Sequence, residues 1–333
     1  MPNSYKITGV IVNFNSYKFK EIVLQSVKSF LRLENIRLII VDNSSTDGSY
    51  EFLLKKISNT ARVELIKLSR NRGYAGAINF VFDLCYNEFD SCFFIANNDV
   101  ILTNRKPLLN AIKLIEKKDD IASVAGVMIY PSLRVQTAGF LLNDLGYLIN
   151  IFGNAPVHSC IFKQDYYPVT FGSGALLLIN TSIIPKMPEK VPFPTRGFMY
   201  LDDIVFGLMA WKLDYRNIVS SKLMAIHYES LSSTSPKKAF LLGRAVAIQR
   251  NIIEPCLKIG QTKIFQSLYH CLVALKFRSN LEKVSFIKGV LSGLNEYHLN
   301  REYWRKYEVN ITDVYHLHGI KYIIERASKF LIE

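Results

Sequence analysis

Residues 36–49 read IRLIIVDNSSTDGS, and this stretch decides the fold class. The apolar run from Ile36 to Val41 is typical of a buried β-strand. The turn that follows is rich in Ser, Asp and Gly, and it supplies helix caps for the segment from Tyr50 to Lys56. A strand that ends in a polar loop and leads into a helix is the repeating unit of a parallel α/β sheet.

The same unit repeats on both sides of this stretch. Before it comes ITGVIVNFN (Ile7–Asn15), followed by apolar residues at helical spacing from Phe19 to Leu33. After it come a short strand at Arg62–Lys67, a loop and helix at residues 70–85, and the strand and polar loop SCFFIANNDVIL at residues 91–102. These elements predict βαβ units and a mainly parallel sheet, which binds ligands beyond the carboxyl ends of its strands.

Polar side chains follow three of the predicted strands at their carboxyl ends. They are Asn13 and Asn15 after the first strand, Asp42 and Asn43 after the second, and Asn97, Asn98 and Asp99 after the fourth. One such end is compatible with ordinary loop chemistry. Polar residues at three strand ends of one sheet indicate a ligand-binding site.

Two groups of residues are candidates for metal and proton chemistry, each with a plainer alternative. Asn97 and Asp99 place an amide and a carboxylate oxygen in one loop, which suits a hard divalent cation, but a simple Asn/Asp turn explains them too. His227 follows a later short strand and is either a further ligand or a packed residue. Asp202 and Asp203 precede an apolar helix, either as N-terminal caps or with one of them as a general base.

Several common nucleotide-binding and hydrolytic motifs are absent from the sequence. No G-x-G-x-x-G follows the first strand, and the chain has no P-loop, no H-E-x-x-H and no G-x-S-x-G. Dehydrogenase and P-loop interpretations therefore lack their phosphate-binding loops.

Charge and cysteine usage point to the compartment and to an anionic partner. The 333 residues carry a net charge of +13, and from Lys237 onward 16 Lys and Arg stand against 8 Asp and Glu. Within Gln261–Arg278 one apolar helix face is formed by Ile264, Phe265, Leu268, Leu272 and Leu275. A basic amphipathic segment predicts docking on an anionic membrane, with a solvated helix face as the alternative.

Five scattered cysteines, no signal peptide ahead of the first strand and no long apolar run predict a cytoplasmic protein, peripheral at the inner face of the cell membrane.

Seven segments, in chain order, resemble the family-2 glycosyltransferases of the GT-A fold, and more closely their rhamnosyltransferase-like branch. The resemblance covers the chain from about Lys6 to Thr234. The segments are VIVNFNS (10–16), IIVDNSSTDGS (39–49), LSRNRGYAGAINF (68–80), FIANNDVIL (94–102), FGSGALLLIN (171–180), MYLDDIV (199–205) and IHYESLSS (226–233).

The resemblance implies an α/β fold, with a GT-A catalytic domain over residues 1–235 and a basic helical region over residues 236–333. It implies transfer with inversion of a hexose, such as rhamnose or galactofuranose, from a nucleotide-diphosphate sugar to a glycan or lipid-linked acceptor. It also implies a divalent cation, Mg²⁺ or Mn²⁺, held by Asn97, Asp99 and His227, with Asp203 as the base.

The remaining site residues implied by the resemblance divide between donor and acceptor. The donor nucleotide would be bound by Asn13, Asn15, Asp42, Asn71, Gly73, Asn79 and Asn98, and the acceptor side would include Gly174 and Asp202. We expect Asp42 to bond the donor's base, because an unpartnered carboxylate in a cleft would be costly. The acidic motif departs from the family pattern, since Val205 stands for its second Asp and Met209 for its Arg.

Two other functions are compatible with the residues taken alone. A sugar-phosphate nucleotidyltransferase also uses an oxygen-ligated cation beside a nucleotide, but it would release pyrophosphate. A nucleic-acid-binding α/β protein would use the basic C-terminal region for salt-dependent binding. Nucleic acid is the less favoured partner on this sequence.

Overall fold

The first half of the chain alternates strands and helices, as the sequence predicts. The computed structural model describes residues 7–57, 60–85, 91–229, 235–255 and 263–317. The elements up to the fourth helix are β1 (Ile7–Asn13), α1 (Lys20–Leu31), β2 (Ile36–Asp42), α2 (Ser49–Ile57), β3 (Val63–Lys67), α3 (Gly73–Cys85), β4 (Cys92–Asn97), β5 (Val100–Leu102) and α4 (Arg105–Lys117).

The middle of the chain is rich in strands, and the last part is mostly helical. The middle elements are β6 (Ile121–Ile129), β7 (Val135–Thr137), β8 (Phe140–Asn143), β9 (Leu148–Asn150), β10 (Tyr166–Val169), β11 (Leu176–Asn180), α5 (Asp202–Lys212) and β12 (Arg216–His227). The last elements are α6 (Ser235–Ile252), β13 (Ile253–Glu254), α7 (Lys263–Leu275), α8 (Asn280–Leu299), α9 (Arg301–Arg305), β14 (Val309–Asn310) and β15 (His316–Leu317).

One large mixed sheet organises the described residues. Its strand order is β10-β12-β6-β11-β4-β1-β2-β3, with β5 added to β12 and β7 added to β6. Strands β1 to β4 run parallel, whereas β11 is antiparallel to both β4 and β6. The carboxyl ends of β1, β2 and β4 therefore meet at one edge, where the sequence places its polar residues.

The sheet separates two apolar cores, and strand alternation assigns residues to them. Val10 and Val12 of β1 face the core that contains α3 and α5, whereas Ile11 faces the core that contains α1 and α4. All seven residues of β1 are buried. A central parallel strand covered on both faces reads as a continuous apolar run, which is the signal the sequence carries there.

The C-terminal helices pack on this sheet and extend its core. Trp304 is fully buried, and it belongs with Tyr297 and Val309 to the same core as the strands. Helices α6 and α8 touch through glycine, because a Cβ on Gly289 would lie 2.0 Å from the carbonyl oxygen of Phe240. Within the described ranges, no helix combines the length and apolar character needed to cross a bilayer.

Candidate active site

The carboxyl ends of β1, β2 and β4 bring three of the expected residues together. Asn13 Nδ2 donates to Asp42 Oδ2 at 2.8 Å, and Asn98 Nδ2 donates to Asn13 Oδ1 at 2.9 Å. Ser45 donates its N–H to Asp42 Oδ1 and its hydroxyl to Oδ2. Asp42 has 0% of its surface exposed, so its carboxylate is not unpartnered as the sequence analysis assumed. Its hydrogen bond to the donor's base stays a prediction. The protein itself supplies the donors, and Asp42 shapes the loop.

Asn15 fixes the loop after β1 against the loop after β2. Its N–H donates to Ser45 Oγ at 2.9 Å, and its side-chain oxygen accepts the N–H of Thr46 at 2.9 Å. Asn15 and Ser44 both have left-handed backbones, with φ values of 45° and 67°. Asn enters the left-handed region readily, whereas the Ser44 backbone needs support from its surroundings.

A second polar cluster joins the loop after β2 to the start of α3. Asn43 Nδ2 donates to Asn71 Oδ1 at 3.1 Å and to the carbonyl oxygen of Gly73 at 3.0 Å, while the N–H of Arg72 donates to Asn43 Oδ1. Gly73 has a φ of +73°, and a Cβ there would lie 2.4 Å from the carbonyl oxygen of Phe198. Glycine is therefore required at this position, beside a helix N-terminus that suits an anionic group.

Asn97, Asp99 and His227 meet near the ends of β4 and β12. His227 Nε2 lies 3.2 Å from Asp99 Oδ1 and 3.2 Å from Asn97 Nδ2. Adjacent ligands of an octahedral cation with bonds of about 2.1 Å lie about 3.0 Å apart, so the spacing of Asp99 Oδ1 and His227 Nε2 fits one shared divalent cation. Among the described residues, no three His, Cys, Asp or Glu side chains converge on one point. The three side chains that meet here are one carboxylate, one imidazole and one amide.

The far side of His227 is held by a residue that the sequence analysis missed. His227 Nδ1 lies 2.6 Å from Oε1 of Gln136, the middle residue of β7. Beyond it, Glu229 accepts from the Tyr130 hydroxyl at 2.9 Å and from Lys238 Nζ at 2.7 Å. Burial alone would raise the pKa of Glu229, but the ammonium group and the neighbouring hydrogen-bond donors hold it below its ordinary value.

The residues described so far form one half of the site, and the other half is formed around Asp203, at the start of α5. Its Oδ2 accepts the N–H of Gly174 at 3.1 Å, and its Oδ1 accepts the N–H of Ile204 at 2.9 Å. Burial raises the pKa of Asp203 above the ordinary carboxylate value, although these backbone donors oppose the rise. A carboxylate with a raised pKa is a stronger proton acceptor, which suits a general base.

Tyr74 lies between the two halves and was also missed. Its hydroxyl donates to the carbonyl oxygen of Gly174 at 2.9 Å, on the same peptide segment that donates to Asp203. Burial raises the pKa of Tyr74 well above its ordinary value, and the charges of the acidic residues around it add to the rise. Those residues are Asp202, Asp203 and Asp99. The phenol of Tyr74 is therefore affected by the charges of carboxylates from both parts of the site.

Asp202 faces its own backbone rather than Gly174. It is 5% exposed, and its Oδ1 accepts the N–H of Leu201 at 3.2 Å. Burial and the adjacent charge of Asp203 raise the pKa of Asp202. Phe198 and Tyr200, just before it, have left-handed φ values of 64° and 65°. Such backbones cost about 1–3 kcal/mol each and persist only where the surroundings hold them.

Asn79 supports the segment ahead of Asp202 and lies away from the nucleotide loops. Its Nδ2 donates to the carbonyl oxygen of Phe193 at 2.8 Å, and its Oδ1 accepts the N–H of the same residue at 3.1 Å. One donor and the oxygen of the buried amide are thus engaged by the backbone of Phe193, so Asn79 helps to hold that segment, and its contact with a donor nucleotide stays a prediction.

The sequence itself identifies the family. The profile of glycosyl transferase family 2 matches residues 9–184, more than half of the chain. The chain belongs to glycosyl transferase family 2. The match includes the loops that carry Asn13, Asp42 and Asp99, and it ends before Asp203 and His227. Among curated protein sequences, none matches this chain significantly.

Solved glycosyltransferase structures share the fold of this family-2 chain. A mannosyltransferase from Pyrobaculum calidifontis, PcManGT in complex with GDP-Man and Mn2+, aligns over 91% of this chain and 85% of its own, with 13% identity and a TM-score of 0.53. GalNAc-T7 with UDP, GalNAc and Mn2+ aligns over 90% of this chain, with 11% identity and a TM-score of 0.59. This chain spans 58% of the length of GalNAc-T7.

These comparisons confirm the expected GT-A fold with a helical C-terminal region, and the expected family. Membership makes the chain a glycosyltransferase rather than a nucleotidyltransferase or a nucleic-acid-binding scaffold.

Proposed function

We propose that this glycosyltransferase moves a hexose from a nucleotide-diphosphate sugar to an acceptor hydroxyl by a single displacement with inversion. Asn97, Asp99 and His227 hold a divalent cation, Mg²⁺ or Mn²⁺, and Asp203 is the base. The observation that supports this most strongly is the position of Tyr74, whose phenol is close enough to Asp99 and Asp203 to be affected by both charges.

The donor half of the site suits a nucleoside diphosphate. When bound, a divalent cation neutralises the charge that develops on the leaving diphosphate. Asp99 and His227 are oriented toward the same position, 3.2 Å apart. The loops tied together by Asn13, Asn15 and Asn43 provide a rigid wall for the nucleotide, next to the N-terminus of α3.

The acceptor half suits proton removal. As the acceptor oxygen bonds the anomeric carbon, the bond from that carbon to the diphosphate oxygen breaks, and the hydroxyl proton passes to Asp203. The Gly174 and Ile204 N–H groups fix the carboxylate in one orientation. One base on the face opposite the leaving group gives inversion, and holding both substrates in place supplies much of the acceleration.

The test is a screen of the purified protein with nucleotide sugars, including those of rhamnose, galactofuranose and other hexoses, each with Mg²⁺ or Mn²⁺. We expect nucleoside diphosphate to be released only with one donor class, and the anomeric coupling in the product NMR spectrum to show inversion. Release of pyrophosphate, or a product with the donor's anomeric configuration, would overturn the proposal.

The proposal includes a lipid-linked acceptor reached at an anionic membrane. Of the fourteen large apolar side chains exposed in the described residues, eight belong to α7 and α8. They are Leu268, Leu272, Leu275, Leu281, Val284, Ile287, Leu291 and Leu299. Ile264 and Phe265, expected on the same stripe, have side chains outside the described residues.

The apolar stripe of α8 faces away from the protein and is accompanied by positive charge. The opposite side of α8 buries Phe286 and Val290. Lys276, Arg278 and Lys288 are exposed, and Glu282 is the one acidic residue between positions 266 and 295. Exposed apolar groups with cations suit a surface of anionic lipid, whereas a second copy of the chain would meet like charge.

Vesicle sedimentation tests this contact with a matched pair of variants. Leu272 on α7 and Leu84 on α3 are both 55% exposed. We expect Leu272→Gln to reduce binding to phosphatidylglycerol vesicles, and Leu84→Gln to leave it unchanged. Equal recovery of the unmodified protein on neutral and anionic vesicles at low salt would contradict membrane docking.

A further inference from the structure

Gln136 lies outside the donor and acceptor loops, yet its hydrogen bond to His227 is the shortest among the contacts of Asn97, Asp99 and His227. Its Oε1 is 2.6 Å from His227 Nδ1. Gln136 is partly exposed between two buried neighbours on β7, which pairs with the end of β6, while His227 ends β12 on the other side of β6. The glutamine side chain therefore reaches across the end of a strand to meet the imidazole.

The chemistry of the neighbours fixes which atom of the amide faces His227. Glu229, two residues beyond His227, pairs with Lys238 Nζ at 2.7 Å and accepts the Tyr130 hydroxyl at 2.9 Å, and the Gln136 amide interacts with its carboxylate. A carboxylate paired with an ammonium group only accepts hydrogen bonds, so the amide nitrogen is the atom of Gln136 that suits it. The amide oxygen is then left for His227, and an oxygen at 2.6 Å requires the proton on Nδ1.

A proton on Nδ1 leaves a lone pair on Nε2. Nε2 lies 3.2 Å from Asp99 Oδ1, which is also an acceptor. Two acceptors at this distance repel each other unless a cation or a donor lies between or beside them. Asn97 Nδ2 at 3.2 Å provides one donor in the absence of a cation. The arrangement is thus poised for a positive charge.

We propose that Gln136 is a positioning residue that holds His227 with its proton on Nδ1, so that Nε2 and the Asp99 carboxylate form the cation site. The alternative arrangement, with the proton on Nε2, would make an ordinary His–Asp hydrogen bond and remove a ligand. This inference rests on the proposed function, because it assumes a divalent cation at this position.

The first measurement uses the metal-free protein and needs no variant. Long-range proton–nitrogen NMR spectra of histidine-labelled protein, assigned with His227→Ala, report which ring nitrogen carries the proton. We expect the Nδ1–H form. The Nε2–H form of His227 in the unmodified protein would overturn the inference.

The second measurement compares the affinity for Mn²⁺ alone, followed by the paramagnetic resonance signal of the free ion. Gln136→Met keeps the length of the side chain but cannot accept a hydrogen bond, and we expect Kd to rise about 10–100-fold, as for lost outer partners of metal-bound histidine. Gln136→Glu keeps an oxygen acceptor and should retain the Nδ1–H form. Gln164→Met, at an exposed glutamine, is the matched control and should bind Mn²⁺ normally.

The outcomes separate this inference from the proposed function. Unchanged Mn²⁺ affinity in a folded Gln136→Met protein would overturn the role of Gln136 and leave the cation site in place. No Mn²⁺ binding by the unmodified protein, with or without donor, would remove the cation from the proposed function. If Gln136→Met loses its thermal unfolding transition, the NMR spectra of the unmodified protein and of Gln136→Glu still decide the inference.

Discussion

Replacing Asp203 by Asn removes the proposed base but keeps the size and shape of the side chain. The two oxygens of Asp203 accept the N–H groups of Gly174 at 3.1 Å and Ile204 at 2.9 Å. Asn retains one acceptor, so one hydrogen bond worth about 1 kcal/mol is lost. Loss of the base should lower kcat by about 10²–10⁴-fold, which corresponds to about 2.7–5.5 kcal/mol in the activation barrier.

The stability change should be small, because a second effect opposes the lost hydrogen bond. Burial raises the pKa of Asp203, so at pH values between its unfolded and folded pKa the folded chain holds a proton that the unfolded chain releases. Stability from this group is therefore present below the unfolded pKa of about 4 and is lost as pH rises through the folded pKa. Asn carries no charge to bury, so Asp203→Asn should unfold near the same temperature as the unmodified protein at pH 8.

The assay is kcat by nucleoside diphosphate release, with donor affinity from calorimetry and unfolding from circular dichroism as controls. Asp202→Asn is the matched variant, and it should lose less activity because Asp202 bonds its own backbone at Leu201. The reasoning fails if Asp203→Asn keeps kcat within tenfold of the unmodified protein. An inactive Asp202→Asn beside an active Asp203→Asn would move the base to Asp202.

Four further outcomes follow from the same contacts. Asp99→Ala should abolish turnover and weaken Mn²⁺ binding, and full activity after chelation would contradict the cation site. Tyr74→Phe removes the hydrogen bond to Gly174 and should lower kcat about fivefold at unchanged donor affinity, measured as above. Gly289→Ala brings a Cβ to 2.0 Å from backbone and should cost about 1–3 kcal/mol in denaturant unfolding, with Ser292→Ala on the same helix as a neutral control. Burial raises the pKa of Asp203, so kcat/KM should decrease toward acid at a pH above the ordinary carboxylate range. A decrease that begins only at about pH 4 would count against a base with a raised pKa.

The local sequence signals predicted the first half of the fold well. The apolar run at residues 36–41 is β2, and the loop glycine at position 73 is the first residue of α3. The polar residues expected at one edge of the sheet do meet there, because parallel strands bring their carboxyl ends together. The signal is strong where strand and helix periodicities alternate within short distances along the chain.

Contacts between residues far apart in the chain left no such signal. Gln136 and His227 are 91 residues apart, and a single glutamine in the three-residue strand β7 has no pattern that indicates its partner. Tyr74 lies 100 residues from Gly174. The role expected for Asp42 was inferred from a carboxylate assumed to be unpartnered, and Ser45, three residues on, proved to be the missing donor. The local sequence indicated which residue types form the site, but not which of them hydrogen-bond to each other.

The acceptor half of the site depends on the C-terminal region. Arg244 of α6 donates to the carbonyl oxygens of Gly197 at 3.1 Å and Arg196 at 2.9 Å, and the N–H of Arg196 donates to the Tyr303 hydroxyl at 3.1 Å. These contacts lie immediately before the left-handed backbones at Phe198 and Tyr200, which need support from outside their own segment. The helices that follow residue 235 therefore help to hold the segment that presents the proposed base, so these contacts cross the domain boundary predicted at that residue.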